Sequence, residues 1–211
     1  MSQNLEPLAD IPVPETAEPI ELAGFGAFFR ARDAVNAGVS FYRLERAVAD
    51  GSLEKFAPGL YRRASIEPTE VETLAMVCAA VPTGTICLLS ALSLHNIGTQ
   101  SPHEIWLALD RRARKPVRLP SAVRFVRFSG GMRNYGVVNY EVLGVPTRIT
   151  NPARTVVDCF RYRNKLGLDI ALEALRDVLR SAQASADDLT RTADACRALR
   201  VMQPYLDAVL A

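Results

Sequence analysis

The chain has 211 residues, 49% of them hydrophobic and 23% charged, a composition typical of a soluble globular protein with one large domain or two small ones. The formal net charge is only +2, so the overall charge does not indicate a nucleic-acid binder. Its distribution does: residues 1–23 carry five acids and no base, residues 24–66 seven bases and four acids, and residues 111–133 eight bases and no acid. Two basic stretches are better evidence for a polyanionic partner than the isoelectric point.

The sequence shows no feature typical of a secreted, membrane or metal-dependent protein. The first residues lack the basic start and apolar core of a secretory signal, and no apolar run approaches the ~20 residues that a membrane helix requires. The four cysteines are scattered without paired spacing, so we interpret them as small buried core residues in a reducing compartment. We therefore expect a cytoplasmic protein without a membrane partner, a cofactor or a metal.

A winged helix-turn-helix is predicted near the start of the chain. Residues 1–20 are rich in proline and glutamate and are expected to form a poorly ordered or surface-lying lead. Residues 21–65 follow with two short helices, and Gly38 supplies the sharp turn between them. Ser40 can cap the second helix, at 41–49, because its hydroxyl can accept a hydrogen bond from a free backbone N–H.

The second helix has an apolar face and a polar face. Phe41, Leu44 and Val48 recur at spacings of three and four and are predicted to pack inward. Arg43 and Arg46 fall largely elsewhere and are the residues best suited to base edges, since a guanidinium pairs bidentately with guanine. We expect substitution of Arg46 to relax sequence preference at one position.

A basic hairpin follows this helix. Its strands are predicted at 53–56 and 60–63 around a Pro-Gly turn, and Lys55, Arg62 and Arg63 flank the turn, where they can reach phosphates. Loss of Lys55 should weaken binding evenly across sequences. A helix that can enter the major groove, next to a basic hairpin, is an arrangement that recognises DNA. The candidate DNA-binding residues of this segment are Ser40, Tyr42, Arg43, Arg46, Lys55, Arg62 and Arg63.

Residues 66–211 are predicted to form a mixed α/β domain with a helical C-terminal tail, which makes the fold class α+β. A capping box of Thr69 and Glu72 begins a helix that runs to Ala80, and Asn151 with Pro152 begins another. The remaining elements are predicted as a strand at 85–88, a helix at 91–96 opened by Ser90, strands at 104–109, 123–128, 137–143 and 145–149, and helices at 151–160, 167–181, 186–199 and 202–210.

The second basic stretch begins in a predicted loop after a strand, with Arg111, Arg112, Arg114 and Lys115. Three interpretations stay open for these four cations: a solvated loop, a second contact to the DNA backbone, or a surface for a partner. In a solvated loop these cations would have no binding function. As a DNA contact or a partner surface, they would extend the positive charge of the winged segment.

No pattern in the sequence supports catalysis. His95 and His103 lie near predicted element ends in apolar company, which favours structural roles. Ser90 lacks the Gly-x-Ser-x-Gly surroundings of an exposed nucleophile, and no phosphate-binding pattern surrounds Gly130-Gly131. Since no carboxylate or metal cluster is present either, we predict that the protein is not an enzyme.

Several motifs in one order along the chain carry a family resemblance. About residues 25–162 resemble the AbiEi antitoxins, the transcription-regulator halves of abortive-infection toxin–antitoxin pairs. The motifs are Gly38-Val39-Ser40 with Leu44, Gly51-Ser52-Leu53, Pro58-Gly59-Leu60-Tyr61, Leu89-Ser90-Ala91-Leu92 with His95, and Thr150-Asn151-Pro152-Ala153-Arg154-Thr155 with Asp158.

The resemblance implies a winged N-terminal domain that binds inverted repeats of double-stranded DNA upstream of its own operon and represses it. By position, the recognition helix is 40–49 and the wing is 53–63. The C-terminal domain is implied to oppose a nucleotidyltransferase-like toxin. Arg154 and Asp158 match the family motif, and at four residues apart on a helix we interpret them as a structural pair. One departure is the short segment 19–24, where family members commonly have a full first helix.

The leading hypothesis is an autoregulating, DNA-binding repressor with antitoxin function. The alternative is a protein-interaction module that neutralises a partner protein, such as the toxin, through its basic C-terminal domain without specific DNA binding. Co-purification with the product of the neighbouring gene, insensitive to nuclease, would favour the alternative.

Overall fold

The computed structural model describes residues 24–64, 71–116 and 118–211, and its architecture is α+β. The predicted lead, most of the segment 19–24 and the capping threonine Thr69 lie outside the described residues. We call residues 24–64 the N-terminal unit and residues 71–211 the C-terminal unit.

The N-terminal unit contains two short helices and a three-stranded antiparallel sheet. In chain order its elements are β1 (Phe28–Arg30), α1 (Ala31–Asn36), α2 (Phe41–Ala49), β2 (Leu53–Ala57) and β3 (Leu60–Arg63), and the strand order is β1-β3-β2. The two predicted helices and the hairpin are confirmed. β1 is an addition, whose three residues pair with β3. A strand this short has no alternation that a sequence pattern can show.

The C-terminal unit is built around a five-stranded mixed sheet. In chain order its elements are α3 (Glu72–Ala80), β4 (Thr85–Ile86), α4 (Leu88–Leu94), β5 (Ile105–Asp110), β6 (Val123–Phe128), β7 (Val137–Val142), β8 (Val145–Thr150), α5 (Pro152–Arg161), α6 (Arg163–Leu166), α7 (Leu168–Arg180), α8 (Ala186–Ala195) and α9 (Leu199–Leu210). The strand order is β6-β5-β4-β8-β7. β5 runs parallel to β6 and β4 parallel to β8, and the other neighbours are antiparallel.

The sheet separates two apolar layers, as the alternation along β5 shows. Trp106 and Ala108 pack with the C-terminal helices, including α5, α7, α8 and α9. Leu107 and Leu109 face the opposite layer, where they pack with α3 and with Phe28 of β1. The N-terminal unit therefore lies on the α3 side of the sheet, and the helical tail lies on the other side.

Several predicted boundaries are wrong. The strand predicted at 85–88 ends at Ile86, and α4 begins at Leu88 rather than after Ser90. Ser90 does not open the helix, because its buried hydroxyl accepts a hydrogen bond from the Trp106 N–H at 2.9 Å. Near the C-terminus, α8 ends at Ala195 rather than at residue 199, and α9 begins at Leu199 rather than at residue 202. The cause is Arg197, whose φ of 56° is left-handed and interrupts the helix.

The two units are joined by close backbone contacts. The Ala27 N–H donates to the Leu143 carbonyl oxygen, in the β7–β8 turn, at 2.7 Å. Gly26 packs so tightly on Gly144 that a Cβ on Gly26 would lie 2.3 Å from the Gly144 carbonyl carbon. Phe28 adds its ring to the apolar layer around α3. The N-terminal unit therefore packs directly against the C-terminal unit.

The pair expected from its four-residue spacing on α5 is present and fully buried. The Arg154 Nε donates to the Asp158 Oδ2 at 2.7 Å, and both side chains are 0% exposed. Arg154 Nη1 also donates to the carbonyl oxygens of Met132 and Tyr135, at 3.0 and 2.7 Å. Arg154 therefore ties the loop before β7 to α5, which is a structural role.

His95 is also held in a structural contact, with a measurable consequence for stability. Its Nε2 lies 2.7 Å from the Thr150 carbonyl oxygen, so Nε2 carries the proton and donates. Burial lowers the pKa of His95 below its ordinary value of 6.5. Below that value the unfolded chain binds a proton that the folded chain resists, so the free energy of unfolding falls as the pH drops through this window.

We expect His95→Gln to reduce this pH dependence, because its amide can donate to Thr150 but cannot titrate. Urea unfolding between about pH 7 and pH 5 measures the effect, since a titrating group makes the stability curve slope in this range. Equal slopes for the wild type and the variant would rule out the contribution of His95.

Candidate nucleic-acid interface

The exposed face of α2 is the first part of the candidate interface. Ser40 caps the helix, and its Oγ accepts a hydrogen bond from the Arg43 N–H at 3.3 Å. Leu44 and Ala47 are buried against the core of the N-terminal unit. Tyr42 is 62% exposed, Arg46 is exposed and Arg43 is half-buried. The cap and the buried face hold the helix so that Tyr42 and Arg46 point to solvent.

The prediction that Phe41 packs inward is wrong, because its side chain is 59% exposed. Val39, in the turn before the helix, is buried in the core of the N-terminal unit. With Leu44 and Ala47 it completes the apolar contact, so the first helical residue lies beyond the core. Phe41 and Tyr42 together place two aromatic rings in solvent at the start of α2.

The hairpin lysine is bound to α2. Lys55 Nζ lies 3.0 Å from the Glu45 Oε1, and the Tyr61 hydroxyl donates to the same oxygen at 3.1 Å. Hydrogen bonds from Lys55 and Tyr61 lower the pKa of Glu45, and the Glu45 carboxylate raises the pKa of Lys55. The pair fixes the hairpin to α2, and it offsets the charge of Lys55.

The two hairpin arginines contact the protein itself at the base of the hairpin. Arg62 is paired with Glu54 at 3.2 Å and with Glu72 of α3 at 2.9 Å, and its side chain is only 13% exposed. Arg63 Nη1 donates to the Phe25 carbonyl oxygen at 3.3 Å. The structure places both side chains where they hold the hairpin to α3 and to the start of the N-terminal unit, away from the hairpin tip.

The second basic stretch is divided between structural and exposed cations. Arg127 Nη1 donates to the carbonyl oxygens of Asp110 and Ala113, at 2.6 and 2.7 Å, which shapes the loop after β5. Arg124 is paired with Glu104 at 2.5 Å. The predicted loop cations are exposed, and they are Arg111, Arg112, Arg114 and Lys115.

A cleft of about 560 Å³ lies between the two units, and we call it the interunit cleft. Three arginines line it: Arg30 and Arg32 from the N-terminal unit and Arg118 from the C-terminal unit. None of the described residues that line it is acidic. Its other lining residues are Ala31, Val35, Phe41, Pro58, Gly59, Leu60, Ala80 and Pro116.

The sequence pattern did not single out this cleft. Arg30 and Arg32 count among the bases of the first basic stretch and Arg118 among those of the second, so the only sequence signal was their charge. Their meeting depends on how the two units pack, which no local pattern reports.

Within the described ranges, no group of three or more His, Cys, Asp or Glu side chains could hold a metal ion. No helix there is both long enough and apolar enough to cross a bilayer.

Comparison with known proteins gives two findings. Residues 18–64 match a family model described as "Transcriptional regulator, AbiEi antitoxin". Over most of its length the chain is similar in structure to the RV2827C protein from Mycobacterium tuberculosis, with a TM-score of 0.55 and 17% identity, covering 87% of this chain and 72% of that one. This likeness concerns the fold. No curated protein matches the sequence.

Proposed function

We propose that this chain, whose residues 18–64 carry an AbiEi-type transcriptional-regulator domain, is a DNA-binding repressor. In this proposal α1, α2 and the β2–β3 hairpin form a winged helix-turn-helix, and α2 enters the major groove. The observation that carries the proposal is the exposed face of α2. It presents Tyr42 and Arg46 beside the hairpin, on a helix that is capped by Ser40 and buried on its opposite side.

The side chains of α2 divide by the contacts they suit. Arg46, with an exposed guanidinium, suits bidentate hydrogen bonds to guanine, and Arg43 suits a base edge or a neighbouring phosphate. The rings of Phe41 and Tyr42 suit apolar contact with thymine methyl groups. Lys55 contributes indirectly, because without it the Glu45 carboxylate would keep only the Tyr61 hydroxyl, and its negative charge on the DNA-facing helix would repel the backbone.

The finer part of the proposal is autoregulation. The repressor binds repeats upstream of its own gene, and the C-terminal unit neutralises a toxin of the nucleotidyltransferase-like class. The exposed cations at 111–115 suit an acidic surface on that partner. Co-purification of the neighbouring gene product after nuclease treatment tests this part, and loss of that product on substitution of the four loop cations locates the surface.

We expect Arg46→Ala to remove discrimination at one base pair of the operator, worth about 1–3 kcal/mol. Gel shifts with single-base operator variants at one salt concentration measure it, because affinities at different salt cannot be compared. Arg200→Ala, an exposed arginine on α9, is the matched control. Absence of any wild-type shift with the protein's own upstream DNA at low salt would exclude the repressor function.

A further inference from the structure

The cations of the β2–β3 hairpin all contact the protein itself. Lys55 pairs with Glu45, Arg62 with Glu54 and Glu72, and Arg63 with a carbonyl oxygen. The hairpin tip, residues 57–59, is Ala-Pro-Gly and carries no charge. A wing normally adds affinity through its contacts to phosphates. In this protein the cations for that task must lie elsewhere.

The interunit cleft lies beside that tip. It is lined by Pro58 and Gly59 of the tip and by Phe41, the first residue of α2. Its volume of about 560 Å³ accommodates a phosphate group with its solvent. A backbone that passes α2 and the hairpin tip would therefore run along the mouth of the cleft.

The charges of the cleft suit a phosphodiester. The side chain of Arg32 is 68% exposed, with Asp33 at 3.7 Å as a weak neighbour, and Arg118 is exposed on the facing loop. Guanidinium groups offer fixed pairs of donors that match phosphate oxygens. Since no acid lines the cleft among the described residues, the three arginines are left to attract an anion.

The two walls of the cleft are held at a set spacing. The Ala27–Leu143 hydrogen bond and the Gly26–Gly144 contact join the units on one side, and the Arg62–Glu72 pair joins them on another. Arg118, Arg30 and Arg32 therefore line one cleft before any ligand arrives, which reduces the ordering cost of binding.

We propose that the interunit cleft binds a phosphate of the DNA backbone beside α2, with Arg118 supplying the contact from the C-terminal unit. The inference rests on the proposed function and extends it: the DNA interface includes both units. Phe41 packs beside the bound strand, and the cleft replaces the wing cations that the protein uses internally.

The test uses the full chain and a mixed-sequence duplex of roughly two helical turns, with binding measured by fluorescence anisotropy over a series of salt concentrations. Arg118→Ala should weaken binding about fivefold to tenfold at low salt and reduce the slope of log K against log salt by about 0.9, the value for one phosphate contact. Arg32→Ala should act in the same direction. Arg200→Ala, on the opposite side of the sheet, should leave affinity and slope unchanged.

A methylphosphonate scan of a duplex taken from the protein's own upstream DNA, where base contacts fix the register, locates the contact. Neutralising the phosphate that the cleft binds should weaken the wild type more than it weakens Arg118→Ala, which keeps Arg30 and Arg32. The inference is overturned if Arg118→Ala keeps the wild-type salt slope, or if every neutralised phosphate weakens both proteins equally. It is also overturned if Arg118→Ala binds DNA normally but loses a co-purifying protein. If the wild type binds no duplex at all, the proposed function itself fails, a result distinct from these.

Discussion

Asp158→Ala is expected to lower the free energy of unfolding by about 3–5 kcal/mol, the usual cost of removing one partner from a buried ion pair. For a chain of this size that corresponds to a melting temperature lower by roughly 6–20 °C. The reason is the cation left behind. Arg154 is fully buried, so its charge would lose the Asp158 carboxylate without gaining water.

The remaining contacts of Arg154 would offset only part of this loss. Its Nη1 would keep the carbonyl oxygens of Met132 and Tyr135, and its guanidinium carbon lies 4.6 Å from the centre of the Phe128 ring. These are dipoles and a ring face, which stabilise a cation less than a carboxylate at 2.7 Å does.

Two controls accompany this variant in thermal unfolding. Asp33→Ala removes one partner of an exposed pair at 3.7 Å and should cost less than about 1 kcal/mol. The double variant Arg154→Met with Asp158→Leu removes both charges and should recover part of the stability lost in Asp158→Ala. A cost for Asp158→Ala no larger than that of Asp33→Ala would contradict the assignment of a buried charge pair.

Gly26→Ala is expected to destabilise the protein by about 2–3 kcal/mol, the cost of forcing atoms into a filled site. The new Cβ would lie 2.3 Å from both the carbonyl carbon and oxygen of Gly144. These are backbone atoms and cannot rotate away. The units must separate at this contact, which strains the adjacent hydrogen bond from Ala27 to Leu143.

Gly24→Ala is the matched control, because a Cβ there meets no atom within 4 Å. It should change the melting temperature little, whereas Gly26→Ala should lower it by roughly 4–12 °C. DNA binding gives a second measurement, since separation of the units widens the interunit cleft. Equal melting temperatures for the two variants would show that the Gly26–Gly144 contact does not hold the units together.

Local signals predicted the elements that local interactions form. Ser40 caps α2, Asn151 and Pro152 begin α5, and a Pro-Gly turn closes the hairpin, so these elements appear in the structure where the sequence places them. Each depends on residues within one or two turns of chain. The two apolar layers were less accessible to sequence reasoning, because they depend on how distant elements pack.

The candidate site was predictable only in part, because its charges are decided by tertiary neighbours. Lys55 and Arg62 look like phosphate contacts in sequence, and nothing local shows that Glu45 and Glu72 will face them. Arg63 looks the same, yet it contacts the Phe25 carbonyl oxygen. The apolar spacing of α2 predicts a buried Phe41, but Val39 occupies the core in its place. Arg118 gains its position from a packing arrangement between distant segments.

The packing of the N-terminal unit against the C-terminal unit limits how its residues can be recombined with other proteins, in evolution or in the laboratory. A chimaera that transplanted residues 24–64 onto another scaffold would leave the Ala27 N–H, the Phe28 ring and the Arg62 guanidinium without Leu143, α3 and Glu72. The N-terminal unit must therefore be kept together with the β7–β8 turn and the first helix of the C-terminal unit. Recombination that separates them would yield an unstable N-terminal unit, even if its sequence were unchanged.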